Sequence, residues 1–234
     1  MCTRFVYNGI DKIVGFNFDI DLSVWKHKVI VEKDCFYIGI LRPDGTYHSY
    51  HGVNQNGNVG TLLYVHGNPA GAYQNSGNCI TVADLTEQFI KAQISFDDVL
   101  EIMKSKRIVY APDSTMQAML SDVYGRTLVI EPGIGYREEQ GRYSVITNYS
   151  LMKPESTKNF IVPGDDRYER ALQLLDSYKN EFLLSDAFAL LHAVRQEGVW
   201  ATRVSFLYSA NEQTVYFIEN NRFENIRKYV FPFA

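Results

Sequence analysis

Met1-Cys2-Thr3-Arg4-Phe5-Val6-Tyr7-Asn8-Gly9, with Ile13-Val14-Gly15-Phe16-Asn17-Phe18-Asp19 behind it, is the stretch on which the rest of the chain is read. Two β-rich runs flank an Asn-Gly pair, a dipeptide suited to the left-handed backbone of a tight hairpin turn. The pattern predicts antiparallel strands over Phe5-Val6 and Ile13–Phe18, the second ending in Asp19. Such a hairpin brings Cys2 and Asp19 to the same end.

Cys2 offers more than packing. Methionine aminopeptidases remove a leading methionine when the next side chain is small, and removal of Met1 would leave a thiol and a free α-amine on one residue. The amine titrates at about 7.7–8.0 and the thiol at about 8.5. A neutral amine can therefore take the thiol proton, directly or through one water, so that one residue supplies nucleophile and base. Asp19 would orient that amine and stabilise its ammonium form. Without this chemistry, Cys2 is a small edge-strand residue and Asp19 a turn carboxylate.

Further strands are predicted at Val29–Val31, Phe36–Leu41, Val59–Val65, Thr115–Asp122, Thr127–Glu131, Tyr143–Thr147, Thr202–Ser209 and Thr214–Glu219. Pro43-Asp44-Gly45, Tyr124-Gly125 and Asn211-Glu212-Gln213 supply turns. Helical periodicity falls at Thr81–Ala92, Ser95–Lys104, Asp166–Tyr178 and Leu184–Gln196, with Ser95 a natural N-cap. Strands, two helices, more strands, two helices and a closing hairpin predict an α+β protein of two packed sheets with helices outside.

At 234 residues, one domain over 1–234 is expected. A net charge of −4 gives no electrostatic ground for binding nucleic acid or an anionic membrane. Aromatic residues make up 14%, which suits an apolar cleft. Cys2, Cys35 and Cys79 form no CxxC pair, and an odd number without a signal-like leader points to a reducing, cytoplasmic setting. No run of 18 apolar residues marks a membrane span. His27, His48, His51, His66 and His192 are scattered, so no metal is expected. His48 and His51 read as loop residues. His66 lies two residues beyond Tyr64 and is a candidate for lining a site, with an ordinary rim histidine as the plainer alternative.

Five collinear segments carry a resemblance: Met1-Cys2-Thr3; Gly15-Phe16-Asn17-Phe18-Asp19; Gly52-Val53-Asn54-Gln55-Asn56-Gly57 with Leu63-Tyr64; Ser121-Asp122-Val123-Tyr124-Gly125-Arg126 with Val129-Ile130-Glu131; and Thr147-Asn148 with Pro163-Gly164-Asp165-Asp166-Arg167-Tyr168. In these the chain resembles the choloylglycine hydrolase and penicillin V acylase family of N-terminal-nucleophile hydrolases. The resemblance implies a four-layer αββα sandwich and hydrolysis of a linear amide in a small N-acyl substrate, without a cofactor. It implies Cys2 as nucleophile, Asp19 at the terminal amine, Asn148 in the oxyanion hole and Arg167 beside the nucleophile. Tyr64 falls where family members carry asparagine or tyrosine, the tyrosine form being that of penicillin V acylases, so the Tyr64 hydroxyl is expected near the oxyanion.

Two departures stand out. The family motif reads Gly-Arg-Asn-hydrophobic-Asp, and Phe16 replaces its arginine; a guanidinium there would lower the thiol pKa. Arg4 shares a strand face with Cys2 and is a candidate substitute cation, though a surface arginine is the plainer reading. Only 19 positions separate Asn148 from Arg167, where the family carries a long excursion that braces its tetramer. A family-type tetramer is therefore not expected, and a homo-oligomer stays open. Two rivals also stay open: an acyltransferase on the same scaffold, and a binding protein that has lost activity through Phe16.

Overall fold

A computed structural model describes residues 1–178 and 181–232. Its first hairpin forms: β1 (Thr3–Asn8) and β2 (Lys12–Asp19) are antiparallel, with Thr3 opposite Asn17 and Asn8 opposite Lys12. The turn, however, is not Asn8-Gly9. Asn8 is the last paired residue of β1, the connection is the three-residue loop Gly9-Ile10-Asp11, and neither Asn8 nor Gly9 has a positive φ. Then come β3 (His27–Val31), β4 (Cys35–Leu41), β5 (Tyr47–Asn54), β6 (Val59–Tyr64), β7 (Cys79–Thr81), α1 (Val82–Ile90), α2 (Phe96–Ser105) and β8 (Arg107–Val109). The chain continues through β9 (Met116–Ser121), β10 (Thr127–Glu131), β11 (Gly135–Glu139), β12 (Tyr143–Ile146), α3 (Arg167–Ser177), α4 (Leu184–Ala193), β13 (Thr202–Ser209), β14 (Thr214–Glu219) and β15 (Arg227–Val230).

Two large antiparallel sheets result, ordered β12-β1-β2-β13-β14-β15 and β11-β10-β9-β6-β5-β4-β3, while β7 and β8 form a small parallel pair. The period of two sorts their side chains. Val6, Val14, Phe16 and Phe18 enter the core between the sheets, while Phe5, Tyr7 and Ile13 pack with Ala171, Leu175, Leu190 and Leu191 of α3 and α4. α1 covers the outer face of the second sheet through β5, β6 and β9. The order of layers is helix, sheet, sheet, helix, the αββα sandwich. Ser95 caps α2 in a reciprocal box with Asp98, as its sequence predicts.

Two of the motif segments are turns remote from Cys2. Asn54 Oδ1 accepts the N–H groups of Asn56 (3.0 Å) and Asn58 (3.2 Å), while its Nδ2 donates to Phe89 O at 3.1 Å. Gly57 closes that turn at φ +76°, a conformation that favours glycine. Asp122 Oδ1 accepts from Tyr124 N and Arg126 N, each at 3.0 Å. The second turn meets the far end of β1, where Asn8 Nδ2 donates to Gly125 O at 3.1 Å.

The structure corrects two readings. The stretch containing His48 and His51 is strand β5, paired with β4 across a bulge at Ile38/Gly39. Arg4 is not a surface residue: it is fully buried, because the even-numbered positions of β1 face the second sheet. Its Nη2 donates to Ser121 Oγ at 2.8 Å, and its Nε and Nη1 have no partner among the described residues. Burial alone pulls its pKa down to about 9. Among the described residues no helix is long and apolar enough to cross a membrane.

Candidate active site

Strand register assembles the site. β1 pairs with β12 so that Arg4 faces Ile146, and two more residues along each chain set Cys2 beside Asn148. β2 pairs with β13 so that Asp19 faces Thr202. The contacts follow: Cys2 N–H donates to Asn148 Oδ1 at 2.6 Å, the Met1 ammonium donates to Asp19 O at 2.7 Å, and Cys2 Sγ lies 3.9 Å from Asp19 O. Thr202 Oγ1 donates to Asp19 Oδ1 at 2.6 Å.

Arg167 enters from the first residue of α3 and ties these strands together. Its Nη1 donates to Cys2 O (3.0 Å), Asp19 Oδ2 (3.2 Å) and Thr3 Oγ1 (3.3 Å), and its Nη2 to Asn148 Oδ1 (3.1 Å). Asp165 grips the other edge of the guanidinium, accepting from Nε at 2.8 Å and from Nη2 at 2.7 Å. Two-point geometry of this kind fixes orientation as well as charge. The structure brings Cys2, Asp19, Asn148 and Arg167 together in one cluster.

The Asn148 segment is held from behind. Gln117 Nε2 donates to the carbonyls on either side, Thr147 O at 2.8 Å and Tyr149 O at 3.1 Å. Glu131 Oε1 accepts from Leu151 N at 2.6 Å, and Ser150 Oγ donates to Glu131 Oε2. Asn148 Nδ2 donates to Tyr64 O at 2.7 Å. The backbone of Tyr64 thus touches the cluster, while its side chain is 49% exposed. Asp165, Thr202 and Gln117 were given no role from sequence. Asp165 lies inside a quoted motif, but nothing local marks the other two.

Burial dominates the electrostatics. It pushes the Cys2 thiol up to about 11, against the terminal amine and Arg167, which pull it down. Asp19 is pushed up to about 7 by burial, opposed by the same amine and Arg167. For Arg167, burial favours the neutral form, but Asp165 and Asp19 outweigh it and hold the pKa above its ordinary value.

Cys2 and Asp19 open on a cavity of about 980 Å³ whose wall includes Phe18, Trp25, Ile40, Leu62, Tyr110 and Met116. Arg4, Phe16 and His66, the candidate lining residues, are not part of that wall. Phe16 stacks on His51 in the core between the sheets (centroids 5.0 Å apart), and the cavity reaches the next inward residue, Phe18. His66 lies beyond the end of β6 and stacks on Phe160 at 3.5 Å. Burial is the cause of the Arg4 shift. His51 lines the cavity instead, its Nδ1 accepting from Leu62 N at 3.2 Å. Among the described residues no group of three or more His, Cys, Asp or Glu could hold a metal ion.

The four-layer αββα sandwich is a fold that solved amide hydrolases share with this chain at low sequence identity. The fold is similar to that of a C2A mutant of conjugated bile acid hydrolase from Clostridium perfringens, with a TM-score of 0.72 at 16% identity over 98% of this chain and 92% of that one. Penicillin V acylase from Agrobacterium tumefaciens gives 0.66 at 15% over 94% and 83%. The Caenorhabditis elegans ortholog of N-acylethanolamine-hydrolyzing acid amidase gives 0.61 at 15% over 99% and 100%. No family model matches the chain, and neither does any curated protein.

Proposed function

We propose that this protein is a cysteine amidohydrolase that cleaves the linear, non-peptide C–N bond of a small N-acyl substrate through a thioester on Cys2. The carrying observation is the 2.6 Å contact between Cys2 N and Asn148 Oδ1 at a cavity wall, with Asp19 and Arg167 closing round the same residue. While Met1 is attached, Cys2 N is an amide and cannot act as a base, and the buried thiol stays protonated at neutral pH.

Excision of Met1 turns that nitrogen into an amine at the same place. The amine takes the thiol proton and sulfur attacks the acyl carbonyl. One N–H of Asn148 Nδ2 is held by Tyr64 O. The other is a donor for the tetrahedral oxyanion, a role usually worth about 2.7–4 kcal/mol of barrier. The ammonium then protonates the departing nitrogen as the C–N bond breaks, and water hydrolyses the thioester to return free Cys2. Asp19, steadied by Thr202, and Arg167, steadied by Asp165, keep the amine and the Asn148 amide in register.

The likeness to penicillin V acylase makes aryloxyacetyl amides the first substrates to screen, followed by fatty and steroidal acyl amides. The test measures released amine from such a series with Met1-free wild type and with Cys2→Ala. Turnover that persists in the variant eliminates Cys2 as the attacking group. An added amine that captures the acyl group faster than water would instead make the enzyme an acyltransferase.

A further inference from the structure

The cavity beside Cys2 is apolar along most of its wall, yet it contains a buried guanidinium that the reaction above does not use. Arg42 follows β4 directly, and its side chain is 8% exposed. It lies over the rings of Trp25 (5.3 Å to the centroid) and Tyr50 (5.8 Å). It forms an ion pair with Asp113, whose own side chain is 41% exposed. All four residues line the cavity. Taking a guanidinium out of water costs several kcal/mol. Two aromatic faces and a half-exposed carboxylate offset only part of that. Asp113 is the single acidic partner of Arg42 among the described residues, which leaves most of its five N–H bonds without a carboxylate.

Position says which part of a substrate would meet it. β6, β5 and β4 are neighbours in the second sheet, and alternate strands run in the same direction. Arg42 and Tyr64 therefore leave the same edge of the sheet, two strand spacings apart, which is about 10 Å. Tyr64 O is hydrogen-bonded to Asn148, so the backbone at Arg42 lies about that far from the strand end that holds the Asn148 amide. In the thioester the acyl group stays joined to sulfur while the amine departs, so the enclosed part of the cavity belongs to the acyl chain.

We propose that Arg42 selects N-acyl substrates whose acyl chain ends in a carboxylate, and that this carboxylate replaces Asp113 on the guanidinium. An extended chain advances about 3.5 Å per three bonds, so a span of about 10 Å asks for about eight carbons, as in a suberoyl group. Asp113 stands on the exposed side of the pair and returns to water when displaced. The proposal rests on the amide-hydrolase reading for its geometry.

The experiment compares kcat/KM for the N-suberoyl and N-octanoyl amides of one amine, two chains of equal length that differ in the terminal charge. Wild type is expected to favour the suberoyl amide by about 10- to 100-fold, the range of a hydrogen-bonded charge. Arg42→Met is expected to abolish that ratio, and Asp113→Asn to raise it. Asp113→Asn also serves if Arg42→Met fails to fold, because its side chain is half exposed. Equal rates on both amides, or a ratio that neither variant moves, overturns the proposal and leaves the hydrolase reading intact. If neither amide is cleaved, calorimetry on Cys2→Ala with the same amides decides the role of Arg42, and the hydrolase reading is decided separately by the acyl series above. Tighter binding of the suberoyl amide that depends on Arg42 upholds it, and equal binding overturns it.

Discussion

Arg167 lies in the layer between the first sheet and α3, where it meets two carboxylates, the Asn148 amide oxygen and a main-chain carbonyl. Arg4 lies between the two sheets, equally buried, and among the described residues its one hydrogen-bond partner is the hydroxyl of Ser121. The difference follows from what each layer offers. The space between the sheets is filled by aromatic and aliphatic side chains, whereas the edge of the helix-facing layer collects the ends of β1, β2, β12 and β13. Strand ends bring unpaired carbonyls, turn carboxylates and a helix start into reach of one side chain. A buried cation is compensated there and isolated in the sheet core.

That contrast can be broken by substitution. Arg167→Met removes the guanidinium that pairs with both Asp19 and Asp165, and is expected to cost about 3–5 kcal/mol in urea unfolding. Arg4→Met should go the other way, raising stability by about 1–4 kcal/mol in the same assay, because an isolated guanidinium is exchanged for an apolar chain of similar length. A comparable loss in both variants would mean that the two layers do not differ as argued.

Asp19 sharpens the comparison through pH. Its carboxyl is held at about 7 in the fold against 3.8 for the free group. Between those values the folded chain binds the proton that the unfolded chain has lost. Stability should therefore fall as pH rises through that window, with a slope of at most about 1.4 kcal/mol per pH unit. Asp19→Asn should remove this part of the slope in a series of melts from pH 4 to 7; an unchanged slope would show that another group sets it. Thr202→Val is the smallest perturbation, with an expected loss of about 1 kcal/mol. It should also shift the acid limb of any activity profile, which a purely structural hydroxyl would leave in place.

The parts of this arrangement that sequence makes legible are those encoded locally. Two short β-rich runs around a glycine mark the β1–β2 hairpin, and with it the meeting of Cys2 and Asp19, although the turn itself is Gly9-Ile10-Asp11 and not Asn8-Gly9. Ser95 announces α2 by its own capping chemistry. Asn148 and Arg167 were reached only through resemblance, since pairing β12 to β1 spans more than a hundred residues of chain. β5 was missed because His48, Ser49, His51 and Gly52 conceal a buried strand behind polar and small side chains. β11 was missed for a different reason: it is an exposed edge whose Arg137, Glu138 and Glu139 carry no apolar alternation. Thr202, Gln117 and the burial of Arg4 depend on which face turns inward, and only the assembled sheets decide that.

The strand order also sets a timetable for synthesis. β1 and β2 leave the ribosome first, yet they are flanked in their sheet by β12 and β13, and the latter is complete only at residue 209. At about 5–20 residues per second, the leading methionine stays outside any finished sheet for about 10–40 s. Once β13 docks, the Met1 ammonium is tied to the main chain at Asp19, and the half-buried Met1 lines the cavity. On the proposed reading, excision of Met1 would then fall before β13 docks, and chain folded with Met1 in place would be inactive.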